Sequence, residues 1–487
     1  MATAVTSAKL QTDTLDVDRS ATGEKVASRL GQVSWALYEC ARSPYLSLVT
    51  IYVFAPYFTN TVIGDPIRGQ GMWSFANTIA GLLVAILAPL TGAMSDRLGR
   101  RKPWIIGIMA LSVPSCIALW WAMPGAQGGL PVGLILAFIV ILAMGFSCGE
   151  VFHNSMLPSI VSPRRLGSLS GLGLAVGNAG SLVALTAVLL TIALPASKVI
   201  NWSFLPAQPL FGLDPALHEH ERIAGVIAGL WLLVFHLPLL LWTPDRPSTG
   251  VTIKRAVSEG LKQLWHTVQR ARQLSNVGTY LLARMLYTDG LVAIISYAGI
   301  YVSGQFKWDV ATLMLFGLAL TPAGIAGGLL GGWIDDKIGS RRAIQIAVGG
   351  AILSMLGAIS ITPSQIFFVF PYDAATAQPI WSFPYFQTLP EFLYLVIFII
   401  LVVFIGAIFS NSRAMMARIS PVSSMTQFFG LYAVSGWATA FIGHGLVAFF
   451  TSTFNSQRAG FASPLILLSL GLLIVFRVRE ERAPDVV

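Results

Sequence analysis

Gly92-Ala-Met-Ser-Asp96-Arg97-Leu-Gly99-Arg100-Arg101 returns 240 positions later, counted from Gly92 to Gly332, as Gly332-Trp-Ile-Asp-Asp336-Lys337-Ile-Gly339-Ser340-Arg341. Each copy follows one long apolar run and precedes another. A short charged turn at matching places among apolar runs implies two similar helical bundles in one chain. Such a pair suits solute movement across a membrane better than it suits enzyme chemistry.

Composition supports a chain dissolved in lipid. Of 487 residues, 55% are hydrophobic and 11% are charged, where a soluble domain carries about 25% charged residues. A helix crosses the bilayer with about 20 apolar residues. Twelve runs meet that need: 32–57, 71–94, 103–123, 130–154, 168–194, 222–243, 276–302, 310–334, 342–362, 390–413, 427–450 and 461–477. The sixth and twelfth are the least distinct. None alternates polar and apolar residues as barrel strands do.

Lys and Arg placement orients these runs. The two tails and the even-to-odd connections hold 24 of the 31 Lys and Arg residues, while the opposite connections hold only Arg68, Lys198, Arg222, Lys307 and Arg458. Both termini are therefore expected in the cytoplasm, and the net charge of +9 reflects this bias rather than nucleic-acid binding. Residues 1–30 read as a disordered cytoplasmic tail without a signal peptide, 31–243 as the first six-helix bundle, 276–480 as the second, and 481–487 as a short tail. Between the bundles, 244–275 reads as a basic amphipathic linker, with Val257, Leu261, Leu264, Trp265 and Val268 at helical spacing. Cys40, Cys116 and Cys148 lie in apolar runs without ligand spacing and read as packed thiols. His218-Glu219-His220-Glu221 lacks a third ligand, so no metal site is assigned. The aromatic-rich connection 363–389 reads as an interface anchor, with an external lid as the alternative.

The repeat reaches further. Tyr38-Glu39 in the first run is matched by Tyr287-Thr288-Asp289 in the seventh, and Ser162-Pro163 by Ser420-Pro421. Six runs separate the copies, so the halves share one orientation about an axis along the membrane normal. In the repeated turn, Gly92 and Gly332 let a neighbouring helix approach, while Gly99 and Gly339 open a backbone conformation closed to other residues. Asp96 and Asp336 can pair with an arginine or a helix N-terminus nearby, with Arg97, Arg100, Arg101, Lys337 and Arg341 supplying the basic side of a reversible latch.

The turn resembles the cytoplasmic loop motif of the major facilitator superfamily, G-x-x-x-D-R/K-x-G-R-R/K, over essentially residues 31–480. That resemblance implies twelve helices, two six-helix halves and alternating access to a central cavity. Trp35-Ala-Leu-Tyr38-Glu39 with Ser43-Pro44-Tyr45, Tyr287-Thr-Asp289-Gly290, Ala298-Gly299-Ile300-Tyr301 and Phe429-Gly430-Leu431-Tyr432-Ala433 resemble the "unknown major facilitator" family, which includes fungal autophagy-related vacuolar amino-acid exporters. That family usually has Asp where this chain has Glu39. Arg97-Leu-Gly-Arg-Arg-Lys-Pro103-Trp104 also resembles glycoside–pentoside–hexuronide symporters.

Charges inside a span cost about 2.5–3.5 kcal/mol each even on the lenient insertion scale, so they face protein or water. Glu39, Glu150 and Asp289 are the candidates for a coupling ion, a proton or alternatively sodium. Arg42 and Arg284 are the candidates for an anionic substrate group. Tyr38, His153, Asn154, Asn178, Tyr287, Gln427, Tyr432 and Trp437 are candidate cavity residues. His236 and His444 read as packed histidines.

The sequence thus describes an all-α, twelve-helix carrier of a small polar solute, with an amino acid or similar zwitterion favoured and a sugar second. It is expected as a monomer in lipid, in the inner or plasma membrane, with no cofactor, metal or nucleic acid. No Walker motif is present. A non-transporting receptor with the same fold is the alternative of another class.

Overall fold

The computed structural model describes residues 19–20, 25–98, 100–124, 128–162, 166–199, 203–252, 255, 258, 275–374, 376–419, 431–432, 435–436 and 439–481. Most of the amphipathic linker (253–254, 256–257 and 259–274), Gly99, Gln427 and Trp437 lie outside the described residues, as do the surroundings of Gly92 and the side chains of Asp96, Arg97 and Asp336.

The first half comprises α1 (Arg29–Pro44), α2 (Pro66–Leu98), α3 (Lys102–Ala118), α4 (Val132–Ile160), α5 (Leu166–Val188) and α6 (Glu219–Trp242). The second comprises α7 (Ser275–Phe306), α8 (Val310–Ile338), α9 (Ser340–Ile359), α10 (Leu389–Ile419), α11 (Ala440–Phe454) and α12, which is split into Gln457–Ala462 and Pro464–Val475. Nine helices among the described residues are long and apolar enough to cross a membrane, and they coincide with the third to tenth and the twelfth runs. The sixth and twelfth, indistinct in sequence, are among them.

The other three runs depart for identifiable reasons. The first is a regular helix only as far as Pro44, then widens into π turns over Tyr45–Tyr52 and Phe58–Val62 around a break at Val53. Pro44 and Pro56 remove two backbone donors from this stretch, and the ladder rearranges around them. The second run sits in the 33-residue α2, and the eleventh is described at 431–432, 435–436 and from 439 onward, with α11 beginning at Ala440.

Packing repeats in the two halves. α2 and α3 pack on α4, and α1 and α3 on α6; correspondingly, α8 and α9 pack on α10, and α7 and α9 on α12. Across the halves α2 lies against α11 and α5 against α8. These two seams exchange under a two-fold axis, as a parallel repeat requires.

Glycines mark the tightest crossings. A Cβ on Gly81 in α2 would lie 2.7 Å from the Phe441 backbone of α11, and one on Gly331 in α8 would lie 2.6 Å from Ala407 Cα of α10. Gly332, the glycine that the repeat selects, has only Ser410 Oγ at 3.8 Å. The close approach therefore belongs to Gly331, one residue earlier than the sequence reading places it.

The connection 363–389 divides in two, and it makes the fold helical with one small β element rather than all-α. Gln365–Ile366 and Phe370–Pro371 form a two-stranded antiparallel hairpin. Further on, Tyr385 and Phe386 are buried against the bundle, where Phe386 meets Trp308 with ring centres 5.1 Å apart.

Overpacking a tight helix crossing costs about 1–3 kcal/mol. Gly331→Ala should accordingly lower the melting temperature in detergent, whereas Gly332→Ala should leave it unchanged. Equal effects of the two substitutions would contradict the observed register.

Candidate functional site

Trp35, Tyr38, Glu39 and Arg42 recur at three- and four-residue intervals, so α1 turns them all to one side. Across from them α4 presents Glu150 and His153. Arg42 binds both carboxylates: one nitrogen lies 3.3 Å from Glu39 Oε2 and another 2.7 Å from Glu150 Oε2. Its guanidinium also lies 5.2 Å from the Phe146 ring centre. The Arg42 side chain is 9% exposed, while those of Glu39 and Glu150 are 26% and 24% exposed. The arginine is thus enclosed, and the two carboxylates are its more accessible partners.

His153 is fully buried between two rings, stacked on Trp35 at 4.2 Å and on Tyr38 at 4.1 Å. Its Nε2 is 2.9 Å from the Trp35 carbonyl and its Nδ1 is 3.3 Å from Glu39 Oε1. Trp35 Nε1 in turn donates to the His153 carbonyl at 3.0 Å. α5 covers the back of this layer with small residues: a Cβ on Gly177 would stand 3.2 Å from Glu39 Cβ, and one on Gly173 would stand 3.2 Å from the Trp35 ring. Close packing is therefore what the glycine series in α5 serves. His236 bonds the Leu232 carbonyl at 2.7 Å and meets Tyr38 edge-on. Asn154 and Asn178 are exposed.

The second half is built differently. The Tyr287 hydroxyl is 2.8 Å from Ser412 Oγ, and Tyr280 donates to the Ser412 carbonyl at 2.6 Å. Arg284, 7% exposed, donates to the Tyr432 carbonyl and Ser435 Oγ, and its guanidinium lies 3.5 Å from the Tyr432 ring centre. Among the described residues no carboxylate lies within ion-pair distance of it, and its Nε has no partner. Asp289, 4% exposed, accepts the Gly443 N–H at 2.9 Å through one oxygen, and its other oxygen has no partner. Next to Gly443, His444 Nδ1 is 2.8 Å from the Tyr297 hydroxyl. The sequence candidates therefore form two clusters: ion-paired in the first half, and with each charged group lacking an opposite partner in the second.

The two ends of the bundle are built with different chemistry, with ionic contacts inside each half at one and neutral contacts between the halves at the other. At the end carrying the repeated turns, α3 and α9 begin with backbone N–H groups that need acceptors. Asp245, just past α6, accepts from the Arg101 and Lys102 N–H groups at 3.0–3.1 Å. Glu480, just past α12, accepts from Ser340 and Arg341 at 3.0 and 3.1 Å. Gly339 precedes α9 at φ +86°, and a Cβ there would lie 2.7 Å from Glu480. Arg418 of α10 then bridges Glu480 and Asp335, at 2.6 Å to each. Asp335 makes this bridge, one residue before the Asp336 chosen from the repeat. The sequence reading missed Asp245, Glu480, Arg418 and Asp335. The available signal was an acidic residue shortly after the sixth run of each half.

At the opposite end the halves meet through neutral groups. Gln70 Nε2 donates to Thr451 Oγ1 at 2.7 Å, Gln457 Nε2 donates to the Pro66 carbonyl at 2.9 Å, and Ser197 meets Tyr385 at 3.5 Å. Gly299 lies directly beneath the Ile51 carbonyl and Gly317 against the Tyr52 ring, which leaves no space there for a side chain.

Two repeated bundles, each with charged groups inside its spans and joined to the other at the Gln70 end, define a membrane transporter of the major facilitator type. The solved D-xylose-proton symporter shares this fold at a TM-score of 0.61, with 12% identity over 93% of this chain and 98% of that one. A bacterial homolog of the human lysosomal transporter Spinster, inward-facing and occupied, matches at 0.59, with 13% identity over 94% and 98%. In sequence, the uncharacterized MFS-type transporter YxiO of Bacillus subtilis is 22% identical over 460 residues, 93% of this chain and 96% of YxiO. Autophagy-related protein 22 of Yarrowia lipolytica is 24% identical over 337 residues, 64% of this chain, which spans about half (51%) of that fungal relative. The family described as "Vacuole effluxer Atg22 like" matches residues 163–485, and the chain belongs to it.

Burial works to raise the Glu480 carboxyl, but the Arg341 and Ser340 N–H groups and the Arg418 guanidinium outweigh it and hold it below the usual carboxylate range. Its contribution to stability is then present above the ordinary carboxyl pKa of about 4.3 and lost as pH falls through the depressed native value. Wild-type protein should melt above Glu480→Gln at neutral pH, with the gap closing at pH below about 4. A gap independent of pH would assign the effect to packing instead.

Proposed function

We propose that this protein is a secondary active carrier that moves a small zwitterion, an amino acid or close relative, by alternating access coupled to a proton. The observation that carries the proposal is the split of charge between the halves. Glu39 and Glu150, each about a quarter exposed, suit a substrate ammonium. Arg284 in the second half has no carboxylate partner among the described residues and suits a substrate carboxylate. Tyr432 supplies an aromatic wall, Tyr287 is packed in the bundle interior, and His153 fixes the position of Glu39.

Asp289 is the coupling carboxyl in this account. It is enclosed, with one oxygen on the Gly443 N–H and the other without a partner, the setting of an intramembrane proton-relay carboxyl. Movement of α11 relative to α7 alters the Gly443 contact, and with it the environment of that carboxyl. Glu39 and Glu150 are neutralised in part by Arg42, which leaves them to substrate contact. Removing one partner of such a buried pair costs about 3–5 kcal/mol, so Arg42 also holds α1 to α4.

Twelve spans with both termini in the cytoplasm follow from the Lys and Arg bias, and a bacterial relative covering nearly the whole chain supports residence in a cytoplasmic membrane. With that orientation, the cross-half contacts at the Gln70 end support reading this arrangement as inward-facing.

The test is uptake and counterflow of labelled amino acids and sugars in proteoliposomes with an imposed pH gradient. Amino acids should accumulate with the gradient. Asp289→Asn should abolish accumulation while sparing counterflow. Arg284→Gln should weaken both about tenfold or more, the scale of one lost charge-assisted hydrogen bond. Accumulation of sugars alone would overturn the zwitterion assignment; gradient-driven accumulation by Asp289→Asn would overturn the assignment of the proton.

A further inference from the structure

The hairpin that follows α9 combines two features that do not stabilise it in isolation. Its turn holds Phe367 and Phe368 at φ +52° and +63°, consecutive left-handed residues where glycine or asparagine is ordinarily found. It also leaves Phe367, Phe368, Val369 and Phe370 between 44% and 71% exposed. Strain and exposed aromatic surface coincide on one tip, so the local fold spends stability to present that tip.

Its position is fixed. The Phe368 N–H donates to the Ser360 carbonyl at 3.1 Å, and the Tyr372 N–H to Ser364 at 2.9 Å, while Ile366 is buried beneath. Ser360 directly follows α9, so the tip stands at the end of a membrane-crossing helix. Along α9 the exposed apolar side chains Ile346, Leu353 and Leu356 form a stripe, spaced seven and three residues apart, that faces lipid and ends one turn before Ser360. Arg458 of α12 lies with its guanidinium 4.5 Å from the Phe368 ring centre, which places beside the tip a cation of the kind that pairs with lipid phosphates.

We propose that the 365–371 hairpin is a membrane-surface anchor whose Phe367–Phe370 tip is buried in the phospholipid headgroup layer at the Gln70 end of the protein. Tyr385, in the same connection, touches Ser197 of the first half. The anchor therefore holds the second half's side of that contact at a constant depth while the first half rocks against it. This role is independent of what the carrier transports.

The three native cysteines are buried, so Val369→Cys can be labelled selectively with an environment-sensitive fluorophore in the full-length protein. In proteoliposomes the probe should be quenched by lipids carrying a nitroxide at the headgroup and protected from iodide. A probe at exposed Ser248→Cys should show the reverse. Adding Phe370→Asp beside the labelled site should restore iodide access several-fold. Iodide quenching equal to the Ser248 control would overturn the proposal. So would protection that is indifferent to nitroxide lipid and grows with protein density, since that result would assign the tip to a second copy of the chain.

Discussion

The cost of keeping a charge out of water governs this molecule. Few charged side chains lie within the spans, and each half meets the cost differently. The first encloses Arg42 between Glu39 and Glu150 and lays aromatic rings around it, so that charge and countercharge travel together. Among the described residues, the second leaves Arg284 and Asp289 without countercharges and relies on backbone and hydroxyl contacts. An arginine in that condition can recruit an opposite charge from a ligand. The proposed function rests on this asymmetry of a structurally repeated fold.

The ends of the bundle show a parallel division. Two acidic residues lying past the sixth and twelfth helices, Asp245 and Glu480, satisfy the first N–H groups of α3 and α9, and Arg418 extends one of these contacts to Asp335. Such ionic contacts weaken with acid and salt. The other end is closed by amides, hydroxyls and glycine-backed carbonyls, whose strength depends on fit. One end answers to the charge of its surroundings, the other to geometry.

Much of the architecture was legible in the residues. Run length gave the nine described helices long enough to cross a membrane, and the repeated turn gave two like halves, because hydrophobic thickness acts on each segment by itself. The functional pairs were less accessible. Glu39 and Arg42 are neighbours in sequence, so their pairing could be foreseen; that Glu150 completes the set depends on how α4 crosses α1. Asp335 was passed over because the repeat aligns Asp96 with its neighbour Asp336, and alignment alone does not show that Asp335 lies within reach of Arg418 on α10. The seal of Gln70, Thr451 and Gln457 joins residues nearly four hundred positions apart that carry no distinctive motif. The tip at Phe367 and Phe368 was visible as aromatic content, but its left-handed turn is a property of the fold.

The most direct test of the account is competition in counterflow between an amino acid that the protein exchanges and two of its analogues, one without the carboxylate and one without the ammonium. Recognition split between Glu39 and Glu150 on one side and Arg284 on the other predicts that the intact amino acid competes and both analogues fail. Equal competition by either analogue would contradict it, since one of the two charged faces would then play no part in holding the substrate.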